Sequence, residues 1–493
     1  MRALLLLLGG SLVLRLLFAA SLGLGIDESY TVATSRVPQL STFDHPPLAW
    51  WMAYVGAHLG AGESDFAVRL PFVLLFVLTT WLMYELTRRL YGAAAGFFAA
   101  AALCLSPVLG MTDASWVLPD GPLLAALLAT ALCLVAALFA APASNRPRRA
   151  NWWWLAAGVC GGLTILSKYH GFLVMFGVGV FLLSTASQRR WMASPWPYLA
   201  GIIALGVFTP VLIWNAQHGW ISFRFQGGRA SGAHLNVRAF LAVLGEQALF
   251  LGPWNFVPLL LIFLRALRRG PRNTPEWLLA CMAAGPILLF SLVALWSRQR
   301  VLPHWAAPGY LLLFPLLGQE IAQRLEQNSL WTRRCIAAAV VVWALIVASA
   351  TSMPWLPFRG LSGRNYPFVE ALDWNELAKA LAARGLETPG RFIAATRWMD
   401  AGKIDYALHG SMAVTSVGPE PHGYGILQPP REFIGKDALI IAPMLPLAAA
   451  QARFGHAFQS LKALEPVMIT HHGGTAIKLF IYLGTKYDGA AGL

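Results

Sequence analysis

Apolar runs separated by short polar clusters fill the chain from its start to about Ser352. A helix needs roughly 20 apolar residues to cross the hydrocarbon core of a bilayer. Phe66–Leu86, Pro122–Ala141, Trp277–Trp296 and Cys335–Ser352 each meet that length. With the shorter runs between them, the pattern predicts about eleven spans, in a range of about 10–13: 3–24, 66–86, 93–111, 122–141, 152–168, 170–184, 198–214, 247–264, 276–296, 304–318 and 335–352. The leucine-rich first run ends near the small residues Ala19, Ala20 and Ser21, as a cleaved signal would. Its apolar stretch is long for a signal, and it reads as a retained first helix.

Beyond Met353 the pattern changes. Pro354, Pro357, Gly360, Ser362 and Gly363 form a linker, after which charged and apolar residues mix. Phe392–Ala395, Ala438–Ala442, Pro466–Ile469 and Lys478–Leu483 read as strands, and Val369–Arg384 as a helix with apolar positions spaced near 3.6. The expected fold is therefore an α-helical polytopic membrane protein, residues 1–353, followed by a small α/β soluble domain, residues 354–493.

Composition agrees with a membrane class: 57% of residues are hydrophobic and 12% charged, against roughly 45–50% and 25% in a soluble domain. The net charge of +14 could suggest nucleic acid. However, the arginines cluster between spans, at Arg88-Arg89, Arg146/Arg148/Arg149, Arg189-Arg190, Arg268-Arg269/Arg272 and Arg333-Arg334. Under the positive-inside rule those loops face the cytoplasm, and no nucleic-acid partner is expected. The N-terminus is then cytoplasmic and the C-terminal domain outside. The five cysteines lie in or beside apolar spans and form no disulfide or zinc pattern.

Two outward loops, 25–65 and 215–237, carry charges that lipid does not tolerate bare. Asp27, Glu28, Asp44, Asp113 and Asp120 supply acids on the outward side, and Lys168, Arg224, Arg229, Arg298, Arg300 and His304 supply bases. Outward positive charge runs against the topological bias, and an anionic ligand would account for it. The set suits sugar transfer from a polyprenyl phosphate: a carboxylate takes the acceptor hydroxyl's proton, while fixed cations stabilise the departing phosphate. Such a leaving group requires no metal. A transporter or flippase of lipid-linked sugars is the alternative; it would place its charges at the bilayer midplane and show an inverted repeat, neither of which is visible.

These residues resemble a family. Asp27-Glu28-Ser29-Tyr30, Phe43-Asp44-His45-Pro46-Pro47-Leu48, Arg69-Leu70-Pro71, Pro119-Asp120-Gly121-Pro122-Leu123, Leu166-Ser167-Lys168-Tyr169, Trp214-Asn215-Ala216-Gln217-His218-Gly219-Trp220 and Leu302-Pro303-His304-Trp305 are similar, in order and spacing, to the bacterial dolichyl-phosphate-mannose-protein mannosyltransferase-like group, which includes the lipid A aminoarabinose transferases. The resemblance covers most of residues 1–350. It implies a GT-C fold and an inverting glycosyltransferase, with a polyprenyl-phosphate sugar as donor and lipid A, a glycan or a protein as acceptor. A bacterial inner membrane, with the C-terminal domain in the periplasm, follows from the same resemblance.

The resemblance makes Asp27 the general base, with Glu28 orienting it; from the residues alone, both could instead cap an interfacial helix. Lys168 matches a donor-phosphate lysine, against the alternative of a snorkelling side chain. Arg229 matches a phosphate-binding loop arginine, against a headgroup contact, and Arg298, Arg300 and His304 are further candidates for the phosphate. Asp44, His45 and Asp120 correspond to acidic residues of a metal site, so a divalent metal is compatible with the family. Here Asp44-His45 replaces a Glu-Lys pair, and hydrogen-bonded loop residues are the alternative. Asp113 reads as a plain loop residue, and Arg15 as a bundle-facing structural arginine.

Overall fold

In the computed structural model, which describes residues 1–60, 62–139, 147–229, 235–358, 360–443 and 445–489, the apolar runs fold as helices. Among the described residues, six are long and apolar enough to cross a bilayer: Arg2–Ser21, Asp65–Tyr91, Asp120–Leu138, Trp196–Gln217, Thr274–Val293 and Leu330–Trp355. Two bent pairs raise the number to as many as eight. Arg146 and residues 140–141 of the expected fourth span lie outside the described residues, as do residues 230–234 of the second outward loop.

Of the remaining expected spans, three are broken within the run and one is followed by a sharp turn, for local reasons. The 247–264 run folds as Val237–Leu251 and a second helix beginning at Pro253, bent by 116°. Gly252 at the joint has φ +81°, a conformation glycine adopts without steric cost, and Pro253 has no N–H with which to continue the helix. The 170–184 run forms Gly171–Ser184, and the chain then turns by 109° into Ala186–Ala193. The 93–111 run is helical over Ala93–Cys104 and resumes after Pro107 as the π-turn Val108–Thr112. The 304–318 run divides into Pro303–Trp305, Ala307–Leu311 and Phe314–Glu326, each with a proline at its start. The 152–168 run is the helix Pro147–Ser167.

The chain divides into two compact units. One, the helical unit, comprises residues 1–17, 45–49 and 70–348; the other, the mixed unit, comprises 18–44, 50–69 and 349–493. In the helical unit the Asp120–Leu138 helix is central, with 94% of its apolar window buried. It needs no polar face because neighbouring helices cover it all round.

The mixed unit carries a six-stranded sheet: β1 (Phe392–Ala395), β2 (Val414–Ser416), β3 (Ala438–Pro443), β4 (Phe458–Ala463), β5 (Val467–His471) and β6 (Gly474–Tyr487). The order is β2-β1-β3-β6-β4, with β5 also on β6. β1 pairs parallel with β2 and β3, and β6 pairs antiparallel with β3, β4 and β5. β1 and β3 are buried along almost their whole length, which is why they read as continuous apolar runs. β4 is mostly exposed, and its sequence Phe-Gln-Ser-Leu-Lys-Ala lacks the apolar signal that marks a buried strand. The expected helix Val369–Arg384 is shorter, Asn375–Ala383, preceded by the single turn Val369–Ala371.

In the same unit the helix Trp398–Ala407 packs against Ile26–Ser35. A Cβ at Gly402 would lie 2.8 Å from the Tyr30 Cα, so only glycine permits this approach.

Candidate active site

In the mixed unit, the helix Ile26–Ser35 begins immediately after Gly25. Glu28, at its third position, accepts the Gly25 N–H at 2.9 Å, the reach-back half of a capping box. The Glu28 carboxylate is also held by Arg69, from Nε at 2.8 Å and Nη2 at 2.5 Å, and both side chains are fully buried. Arg69 donates its other protons to the carbonyls of Ala19 (3.1 Å), Leu22 (2.6 Å) and Gly23 (2.9 Å). All five guanidinium N–H groups are thereby used. Glu28 thereby fixes the helix start, a positioning duty.

Asp27, next to it, keeps part of its surface open to solvent, while its carboxyl lies among protein groups. Desolvation by the surrounding protein pushes its carboxyl up to about 6, and Asp44, Glu370 and Glu28 add to the rise while His422 opposes it. A carboxylate with a pKa near the working pH is suited to act as a general base.

Asp44 faces the same region. It accepts the Tyr30 hydroxyl at 2.6 Å and its other oxygen pairs with His422 Nδ1; Tyr30 in turn accepts the Gly423 N–H at 2.9 Å. The Trp398 ring stacks on His422, with centroids 4.5 Å apart.

The helical unit holds a second polar group. Lys168 Nζ donates to both Asp120 oxygens, at 2.8 and 2.9 Å, and the pair is buried. Asp113 is buried beside it, with Oδ2 lacking a hydrogen-bond partner among the described residues. Burial and then the Asp120 charge hold the Asp113 carboxyl well above the usual range, against the pull of Lys168. Asp113, expected from its sequence position to be a loop residue, thus lies buried beside the ion pair.

The His304 ring lies near those of Trp305 and Phe250, with centroids 6.4 and 6.5 Å away, and the His170 ring lies against Phe290, with centroids 4.5 Å apart.

The Arg229 guanidinium lies over the Phe225 ring at 4.9 Å and the Trp305 ring at 5.2 Å, contacts that orient it by cation–π attraction. Arg300 pairs with Glu246 at 2.7 Å and is 73% exposed, and Arg298 is exposed as well. Both were expected to hold the donor phosphate, and in this structure both stand in solvent.

Two of the residues matched to a metal site, Asp120 and Asp44, are engaged in other bonds in this structure. Both Asp120 oxygens are taken by Lys168, both Asp44 oxygens by Tyr30 and His422, and among the described residues no group of three or more His, Cys, Asp or Glu is arranged to hold an ion.

Sequence reading did not single out Tyr30, Arg69, Lys403 or His422 as site residues. Arg69 carried a signal, an arginine at the start of an apolar span, where charge is costly. His422 and Lys403 carried none, because their partners Asp44 and Leu24 lie several hundred residues away.

Fold and site together define a membrane protein with several helices long and apolar enough to cross a bilayer, polar clusters among them, and a small C-terminal sheet. Residues 44–214 match the dolichyl-phosphate-mannose-protein mannosyltransferase family. The chain is similar to the undecaprenyl phosphate-alpha-4-amino-4-deoxy-L-arabinose arabinosyl transferase of Pseudomonas aeruginosa, 30% identical over 309 residues, which are 58% of this chain and 51% of that protein. It thus spans about half the length of that relative.

The fold is that of ArnT from Cupriavidus metallidurans, solved bound to undecaprenyl phosphate, with a TM-score of 0.63, 16% identity and 97% of each chain covered. The oligosaccharyltransferase of Archaeoglobus fulgidus is a more distant likeness, with a TM-score of 0.54, 12% identity, and 90% of this chain and 69% of that one covered. The resemblance expected from the sequence motifs is borne out, as is the helical membrane fold with its small C-terminal sheet.

Proposed function

We propose that this protein is an inverting membrane glycosyltransferase that moves a sugar from a polyprenyl-phosphate donor to a lipid, glycan or protein acceptor on the non-cytoplasmic face of a bacterial inner membrane. The observation that carries this reading is the placing of Asp27 in the first turn of a helix whose start is fixed by the buried Glu28–Arg69 pair, where the surrounding protein pushes its carboxyl up to about 6. Similarity to aminoarabinose transferases supports the donor class, with lipid A as one acceptor.

In the reaction the acceptor hydroxyl oxygen attacks the anomeric carbon from the face opposite the phosphate. The bond from that carbon to the phosphate oxygen breaks, and polyprenyl phosphate leaves with the electron pair. Asp27 takes the hydroxyl proton. Arg229, oriented by two aromatic rings, and Lys168, with one ammonium proton beyond those given to Asp120, offer positive charge to the phosphate.

The test is purified protein in detergent with a radiolabelled polyprenyl-phosphate sugar and candidate acceptors. Transfer with release of polyprenyl phosphate supports the proposal. Movement of the labelled lipid across a liposome without transfer would overturn it in favour of a flippase. In the same assay kcat/KM should fall about tenfold per pH unit below about 6, because protonation removes the base; a flat acid limb down to pH 4.5 would exclude Asp27 from that role. Arg229→Ala should raise the donor KM about tenfold to a hundredfold, the loss of one charge-assisted contact, and an unchanged KM would remove Arg229 from the phosphate site.

A further inference from the structure

Lys403, in the helix Trp398–Ala407, is only 5% exposed. Its ammonium donates to the carbonyls of Leu24 at 2.6 Å, Leu372 at 2.7 Å and Glu370 at 3.1 Å. All three protons are used, and all three acceptors are backbone. Burying an ammonium is costly unless its hydrogen bonds are made, and an apolar side chain would fill the same space without that cost. The cation therefore serves the three carbonyls, and Leu24 lies three residues before Asp27.

Two glycines mark the same seam. A Cβ at Gly23 would lie 2.5 Å from the Ala371 carbonyl oxygen, and one at Gly402 would lie 2.8 Å from the Tyr30 Cα. The segment leading into Asp27 and the helix that carries it are thus clasped by residues 370–372 and 402–403. The charged groups facing Lys403 are Asp373, Asp65, Glu28 and Arg69, so the seam also borders the Glu28–Arg69 pair.

We infer that Lys403 is a positioning residue for Asp27: by holding the Leu24 carbonyl against Glu370 and Leu372 it sets where the Asp27 helix begins, which makes the C-terminal segment part of the catalytic unit. The inference rests on Asp27 being the base. Its consequence is specific to the chemical step, because small displacements of a base cost rate rather than binding.

The experiment uses the full chain in detergent with a polyprenyl-phosphate sugar donor. Lys403→Met should lower kcat about tenfold to a hundredfold, leave the donor KM within about twofold, and displace the acid limb, since the distances from Asp27 to Asp44 and Glu370 change with the helix start. A folded Lys403→Met protein with wild-type kcat and acid limb overturns the inference. If that variant does not fold, Gly402→Ala decides on the same two readouts: a lowered kcat with a displaced limb supports it, and wild-type values overturn it. Transfer that survives Asp27→Asn would instead defeat the assignment of Asp27 itself. Loss of transfer in Asp27→Asn with none in the other two variants defeats only the role of Lys403.

Discussion

Asp27→Asn is expected to lower sugar transfer by a factor of about 10²–10⁴, the usual contribution of a general base, while the protein stays folded and melts at or above the wild-type temperature at pH 7. The two halves of this expectation have one origin. The Asp27 carboxyl is raised to about 6 chiefly by desolvation and then by neighbouring acids, so the folded state binds its proton more tightly than the unfolded chain does. Stability contributed by that tighter binding is present at low pH and is lost as pH rises through about 6. At pH 7 the ionised side chain therefore weakens the fold, and the neutral amide removes that penalty. Measuring transfer and thermal unfolding on the same preparation separates catalytic loss from unfolding. Undiminished transfer would end the proposed mechanism, and a lower melting temperature would contradict the electrostatic account of the site.

The largest stability loss should come from the Glu28–Arg69 pair. Glu28→Gln or Arg69→Met leaves one fully buried charge without its partner, a change that typically costs about 3–5 kcal/mol. Arg69→Lys should be almost as damaging, because an ammonium has three donors where the guanidinium uses five, on Glu28 and on the carbonyls of Ala19, Leu22 and Gly23. The double variant Glu28→Gln/Arg69→Met should be less destabilised than the sum of the two single variants. Thermal unfolding of the four proteins in detergent gives the coupling directly, and strict additivity would mean that the pair acts as two independent side chains.

The site was legible in the sequence to different depths. Asp27 stood out as an acid just beyond the first apolar run, and desolvation with Asp44, Glu370 and Glu28 pushes its carboxyl up to about 6. Glu28 was legible as a charge but not as a role, since its partner Arg69 comes from a different helix. Lys168 and Asp120 were read separately, one for phosphate and one for metal, and fold as a single ion pair. His304 was read as a phosphate contact, and only the tertiary structure sets its ring near those of Trp305 and Phe250. Hydropathy likewise located the apolar run around Gly252 but not the bend, which depends on the positive φ of one glycine and the missing N–H of the proline after it.

Membrane embedding, the positions of the long helices and the buried strands β1 and β3 follow from the sequence by itself, because transfer of apolar residues out of water is a local property summed along the chain. Which charges are paired, which titrate and which remain to meet a substrate was decided only by the tertiary structure. Desolvation and partnership depend on side chains brought together from distant parts of the chain, His422 to Asp44, Lys403 to Leu24 and Arg69 to Glu28, and no window along the sequence contains both members of such a pair.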